Sequence, residues 1–344
     1  MPARTIACHD AEVLRIEDLS PSFRRVVFGG PGLERFGIDG PPLDLRIKLL
    51  LPAASLADLR SGIAHRYDLP ALLDRSEDDG ASWYRTWLQI DPAERGAMRT
   101  YTVRAWDEDA RELVVDIVLH TAPELEPLGP AERWAREARI GDRIHILGPD
   151  REATGPNGGI EFRPRSTDDL LLIGDETAVP AIASILEALP ADARGRALLE
   201  VPHAADVLDL TAPTGIEVRW LVREDAAQGQ RLDAEVRALL RPAAASAEVA
   251  LEEVDIEHGI LWETPAGAAA AADAVAGEGS GGAAQPTRTA LAEAGTGLGP
   301  DFSAWIAGEA GAVTGIRRYL VQEVGVNRRQ VAFMGYWRIG RAEG

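Results

Sequence analysis

Six consecutive residues, Arg99-Thr100-Tyr101-Thr102-Val103-Arg104, concentrate two guanidiniums, a ring and three β-branched side chains. That composition predicts a strand. On a strand the period of two puts Arg99 and Tyr101 on one side, and Thr100 and Thr102 on the other unless a bulge turns Thr102 back. Taken alone, the six residues also describe an ordinary half-exposed strand. A second group lies in Leu45-Arg46-Ile47-Lys48-Leu49-Leu50-Leu51, where the same alternation places Arg46 and Lys48 on one face. Such a basic pair is either solvated decoration or the wall of an anion site. Lys48 is the chain's only lysine. A compact ammonium on a flexible stem does what arginine does not, although one lysine in an arginine-rich chain is also what composition alone could leave.

Two further groups sit where strands hand over to helices. Gly174-Asp175-Glu176-Thr177-Ala178-Val179-Pro180 follows an apolar run and precedes a helical pattern. The carboxyl end of such a strand is where open α/β sheets bind ligands, and helix N-terminal amides suit a phosphate. The loop is not a G-x-G-x-x-G fingerprint, and Asp175 and Glu176 add negative charge, so a capped turn with Asp175 or Thr177 as N-cap is the competing reading. Ala307-Gly308-Glu309 repeats the arrangement later. Met334-Gly335-Tyr336-Trp337-Arg338 places two rings and an arginine past the last strand, as a lid for a flat cofactor or as a hydrophobic plug. Arg223, just after another strand, is a candidate for a nucleotide 2′-phosphate or a solvated arginine.

Other chemistries are disfavoured. The six histidines are dispersed and Cys8 is the single cysteine, so neither a zinc site nor an internal disulfide is expected. No Gly-x-Ser-x-Gly elbow or Walker loop occurs. A formal charge of −19 argues against a nucleic-acid surface. There is no signal-peptide pattern and no apolar run of about 18 residues, so a cytoplasmic protein that neither enters nor crosses a membrane is expected.

The elements that position these groups fall into two grammars. Up to about residue 152 the pattern is short strands with turns, interrupted by a partly helical excursion at about 52–96, and followed by a helix at 131–138. This predicts a small antiparallel barrel with a capping helix. Trp83, Tyr84 and Trp87 cluster in the excursion and are expected to be core rather than a ligand platform. From about 165 to 344, strands alternate with helices, predicting a parallel sheet covered on both faces. An Ala/Gly-rich stretch at about 265–300 reads as a mobile surface insertion without chemistry.

The order of the pieces resembles the siderophore-interacting protein family, flavin-dependent ferric-siderophore reductases within the ferredoxin–NADP reductase-like superfamily. The pieces are Arg99–Arg104, His120, Gly129-Pro130-Ala131-Glu132-Arg133-Trp134-Ala135, Gly141-Asp142-Arg143, Gly148-Pro149, Gly174–Pro180, Ala307-Gly308-Glu309 and Gly335-Tyr336-Trp337-Arg338. The resemblance implies a six-stranded flavin-binding barrel followed by a parallel α/β nucleotide-binding domain. It implies FAD held by Arg99 at the pyrophosphate, Tyr101 against the isoalloxazine and Thr102 near its N5. Thr100, Asp116, Val118 and His120 belong to the same set, as do Gly129, Pro130, Ala131 and Trp134 around the phosphate-binding helix. Asp175, Thr177 and Ala178 would meet the nicotinamide donor and the flavin edge, with Tyr336 and Trp337 near the flavin. The chain departs from the family at Glu132, where a small hydroxyl residue is usual, and at Thr121, where glycine is. The implied activity carries electrons from NAD(P)H or reduced ferredoxin through FAD to siderophore-bound Fe(III), with no protein acid or base and no resident metal; a monomer is the default expectation, with the oligomeric state open. Lys48, Arg46 and Arg338 would form a positive rim for an anionic ferric chelate. A general flavin reductase serving another enzyme, or a non-catalytic ferri-siderophore-binding protein, are the alternatives.

Overall fold

A computed structural model describes residues 6–62, 87–119, 128–152, 159–242, 262–263 and 298–340. The chain divides into two compact units, the first running to Ile160 and the second from Glu161.

The first unit is built on β1 (Ile6–Asp18), β2 (Phe23–Gly29) and β3 (Arg46–Leu51). The excursion after β3 begins with helix α1 (Leu56–Ser61), where Ser55 Oγ caps the Asp58 amide and Gly62 ends the helix at φ 74°. It closes with the single turn α2 (Pro92–Arg95). Next come β4 (Ala97–Thr102), β5 (Ala105–Asp107), β6 (Glu112–Val118), helix α3 (Pro130–Glu137) and β7 (Arg143–Pro149). These strands form one antiparallel sheet in the order β4-β3-β7-β1-β2-β6-β5. It has the six expected strands plus the three-residue edge strand β5, which the short loop 108–111 returns to β6. One face carries the core: Val13, Val26, Phe28, Ile47, Leu49, Leu113, Val115 and Ile117, capped by Ala131, Trp134 and Ala135 of α3. Trp87 is packed with Met98 and Leu147, so it is core as expected. Trp83 and Tyr84 lie outside the described residues.

The second unit contains β8 (Asp169–Gly174), α4 (Val179–Ala188), β9 (Arg194–Val201), β10 (Gly215–Val222), α5 (Gln230–Leu239), β11 (Trp262–Glu263), β12 (Phe302–Glu309), α6 (Ala310–Arg318) and β13 (Val331–Trp337). The sheet order is β10-β9-β8-β12-β13-β11, parallel throughout except for β11 at the edge. β8 is buried from Leu170 to Gly174, which is why residues 169–173 read as a continuous apolar run, and every residue of β12 beside it is buried too. The strand order reverses between β8 and β12, a topological switch point. Gly174 ends β8 there, and a Cβ on it would come within 2.5 Å of Ala178 Cβ. Glycine therefore lets α4 start tight against the strand. Of the stretch 265–300, only residues 298–300 fall within the described residues.

Candidate functional site

In the first unit the register between β3 and β4 is uninterrupted, pairing Arg46 with Thr102, Ile47 with Tyr101, Lys48 with Thr100 and Leu49 with Arg99. The two faces of the strands follow from it. Ile47 and Leu49 belong to the core, and Tyr101 packs on that core half-buried. Arg99 stands two residues away on the same side, and its guanidinium donates to the Met98 carbonyl at 2.9 Å. The opposite face carries Arg46, Lys48, Thr100 and Thr102. Lys48 Nζ donates to Thr100 Oγ1 at 2.8 Å. Arg46 is tied to the Gly159 carbonyl through its backbone N–H at 3.0 Å. With no bulge in the ladder, Thr102 stays on the Thr100 side, away from Arg99 and Tyr101.

Asp116 and Val118 occupy β6, on the side away from Val115 and Ile117. Asp116 is buried and accepts both arms of Arg25, from Nε at 2.7 Å and Nη2 at 2.8 Å. Arg104, the last residue of the six-residue group, stands 3.9 Å from the same carboxylate. His120 lies outside the described residues.

Helix α3 starts at Gly129 with Pro130 in its first turn, so the first free amides belong to Ala131 and Glu132. Trp134 is buried, stacks on Phe28 with centroids 6.1 Å apart, and its Nε1 meets no acceptor among the described residues. Glu132 is also buried. Its Oε1 accepts from Arg136 Nε at 3.0 Å and Nη2 at 2.6 Å. The carboxylate that departs from the family pattern at this helix end is thus paired with a cation one turn further on.

The donor set suits a dinucleotide. It offers a guanidinium and a half-buried ring on one strand face, amides at a helix N-terminus whose carboxylate is already neutralised, and a buried indole N–H with spare donor capacity. Arg99, Tyr101 and the first turn of α3, with Trp134, are the residues that would hold FAD.

The second unit gathers carboxylates at the carboxyl ends of its strands. Asp175 is buried, and its two oxygens accept five hydrogen bonds. Oδ1 takes Thr177 N at 2.9 Å and Thr177 Oγ1 at 2.5 Å. Oδ2 takes Glu309 N at 2.7 Å, Trp337 Nε1 at 2.9 Å and Gln228 Nε2 at 3.1 Å. Burial, then the adjacent Glu176 carboxylate, push its pKa up to about 7 against the pull of these donors. Ala178 precedes α4 and is fully buried.

Glu176 is held bidentately by Arg223, at 2.9 Å to each oxygen. Arg223 also reaches Glu200 at 3.1 Å. Glu200 in turn caps α5 through the amides of Gly229, Arg231 and Leu232 at 2.8, 3.1 and 3.2 Å. Arg223 is therefore neither a solvated arginine nor a cation open to a 2′-phosphate, because two buried carboxylates share it. Glu309 caps α6 through Ala312 N at 2.9 Å. Tyr336 stands edge-on to Trp305 with centroids 6.4 Å apart. Arg338, half-buried, follows β13 in this unit, whereas Arg46 and Lys48 belong to the first.

Sequence reasoning did not single out Arg25, Arg136, Glu200 or Gln228. Only Arg136 carried a local signal, four residues after Glu132 on one helix face. The others meet their partners across long stretches of chain.

Comparison with known proteins accounts for this layout. Residues 12–153 match the model for a siderophore-interacting FAD-binding domain, and residues 167–340 match the model for siderophore-interacting proteins. An uncharacterised protein of Mycobacterium tuberculosis is 39% identical over 215 residues, 62% of this chain. The match spans 65% of that relative's length. Ferric vibriobactin reductase ViuB of Vibrio cholerae is 28% identical over 254 residues, covering 74% of this chain and 69% of its own. Among solved structures, the siderophore-interacting protein SipS from Aeromonas hydrophila superposes with a TM-score of 0.59 at 27% identity, covering 98% of this chain and 94% of its own. The Amycolatopsis cytochrome P450 reductase GcoB shares the fold, with a TM-score of 0.51 at 14% identity, covering 96% and 70%.

Proposed function

The chain belongs to the siderophore-interacting protein family, and from that membership we propose that it is a flavin-dependent ferric-siderophore reductase. Bound FAD would supply the redox chemistry, accepting reducing equivalents from NAD(P)H or reduced ferredoxin and passing single electrons to Fe(III). The chain's own residues bind and orient. Arg99 and the α3 amides oppose diphosphate charge, Tyr101 offers a ring face, and Trp134 offers an indole N–H.

The observation that carries the substrate reading is the face of β3 and β4 holding Arg46, Lys48, Thr100 and Thr102. Two cations and two hydroxyls lie together on a chain of net charge −19. Lys48 is exposed and steadied by Thr100. A locally positive face on an acidic protein selects an anionic chelate and steers it in. Hard oxygen ligands hold Fe(II) less tightly than Fe(III), so reduction releases the metal. No helix among the described residues is long and apolar enough to cross a membrane, and action in the cytoplasm on imported ferric siderophore is part of the proposal.

The test is a visible spectrum followed by turnover. The purified protein should take up FAD, bleach with NADH, NADPH or reduced ferredoxin compared side by side, and reoxidise on a ferric siderophore. A protein that takes up no flavin sinks the reading. Reoxidation by free flavin but not by ferric siderophore would favour a general flavin reductase instead.

A further inference from the structure

The hydrogen bonds of Asp175 describe a role that differs from nucleotide binding. All four lone-pair directions of a carboxylate are engaged by five donors from four places in the chain. None of its acceptor capacity is left for a ribose or a nicotinamide amide. Two backbone features are shaped around it. Gly308 sits at φ 142°, and a Cβ there would lie 2.6 Å from Asp175 Cγ. Only glycine leaves room for the carboxylate to reach Glu309 N. In the ladder between β12 and β13, Gly308 pairs with Gly335 but Glu309 pairs with Trp337. Tyr336 is thus the extra residue of a bulge, a device that re-aims the next side chain. The next side chain is Trp337, whose indole N–H ends on Asp175 Oδ2 at 2.9 Å.

We propose that Asp175 is a positioning residue that sets the Trp337 indole at the end of β13, with Gly308 and the Tyr336 bulge as the backbone that lets it do so. Its consequence for electron transfer rests on the proposed function together with the expectation, implied by the family resemblance, that Trp337 meets the flavin. Its action on Trp337 does not. Gln228 links the arrangement to its neighbour, donating to Asp175 Oδ2 at 3.1 Å and to Glu176 Oε2 at 3.3 Å.

The experiment uses the full chain labelled with 15N at its eight tryptophans. The Trp337 indole resonance is identified as the one missing in Trp337→Phe. In Asp175→Ala that resonance should move and its N–H should exchange with solvent roughly tenfold faster or more, the worth of one hydrogen bond to a charged acceptor. The other seven should stay. Gln228→Ala, which leaves Asp175 in place, should move the same resonance by less. An unmoved Trp337 signal in Asp175→Ala overturns the proposal. If that variant does not fold, an unmoved signal in Gln228→Ala overturns it. In the FAD-loaded protein, Asp175→Asn and Trp337→Phe should each slow ferric reduction, and the double variant should be no slower than the slower single one. Additive losses overturn the link to catalysis. If Trp337→Phe changes neither the flavin spectrum nor the rate, the placing of Trp337 at the flavin fails, while the indole result still decides the role of Asp175.

Discussion

The two units bury acidic side chains by different means. In the first, four buried carboxylates each have a guanidinium: Asp116 with Arg25, Glu132 with Arg136, Asp142 with Arg60, and Asp150 with Arg35. In the second, Asp175 and Glu309 are held by N–H and O–H groups, and Glu176 and Glu200 share the single Arg223. Arg25 faces Asp116 across the ladder and Arg136 follows Glu132 by one helix turn, so those cations come with register and helix, while Arg60 of α1 reaches Asp142 across 82 residues. At the carboxyl ends of parallel strands the donors are the helix-facing amides, and side chains from several strands converge. The first arrangement neutralises charge locally. The second concentrates it, and Asp175 pushed to about 7 is the result.

The largest effect that would break this contrast is expected from Arg223→Ala. It leaves Glu176 and Glu200 buried without their cation, and should cost roughly 3–5 kcal/mol by urea denaturation. The ratio of rates with NADPH and NADH should stay as it was, because Arg223 is committed to the fold. A selective loss with NADPH would show that it meets the nucleotide after all.

Next is the pH dependence of Asp175. Its folded pKa lies above its ordinary 3.8, because burial and Glu176 outweigh the donors around it. Its contribution is fully present below about pH 4 and is lost as pH rises to about 7, a span of roughly 4 kcal/mol at the conversion of about 1.4 per unit. The stability of the wild type relative to Asp175→Asn should therefore fall across that window and level off above it. A difference that stays flat from pH 4 to 8 contradicts it.

A smaller loss, about 2 kcal/mol, is expected for Arg25→Ala in the first unit, since Arg104 remains near Asp116 and water reaches the partly exposed site. A loss as large as that of Arg223→Ala would erase the distinction between the units. Smallest in stability is Lys48→Glu, expected within about 0.5 kcal/mol for an exposed site. It should raise KM for an anionic ferric chelate more than for a neutral one. Equal changes for both chelates would remove Lys48 from the substrate face.

Much of this architecture is legible before any coordinates, because it rests on local rules. Alternation put Arg46 with Lys48 in 45–51, and Thr100 with Thr102 opposite Arg99 and Tyr101 in 99–102; the ladder keeps both orders and adds that the basic pair and the threonines share one face. The apolar run at 169–173 is a buried parallel strand, and the ordered motifs named the family. What could not be read are partners chosen by tertiary folding. Asp175 finds Glu309 and Trp337 at separations of 134 and 162 residues. Arg223 meets Glu176 from 47 residues away. The two-fold reading of the 174–180 loop, phosphate site or capped turn, missed a third possibility: that its aspartate is spent on holding the ends of other strands. No local pattern distinguishes a side chain that faces a ligand from one that faces its own sheet.

Lys48 has one more consequence, for the chemist rather than the enzyme. It is the only ε-amine in the chain, and it is exposed on the face of β3 assigned to the substrate. An amine-reactive dye or cross-linker at a pH where other nucleophiles are quiet has one side-chain target. A label placed there reports directly from the mouth where a ferric chelate would arrive, and protection from labelling becomes a footprint that needs no mutation.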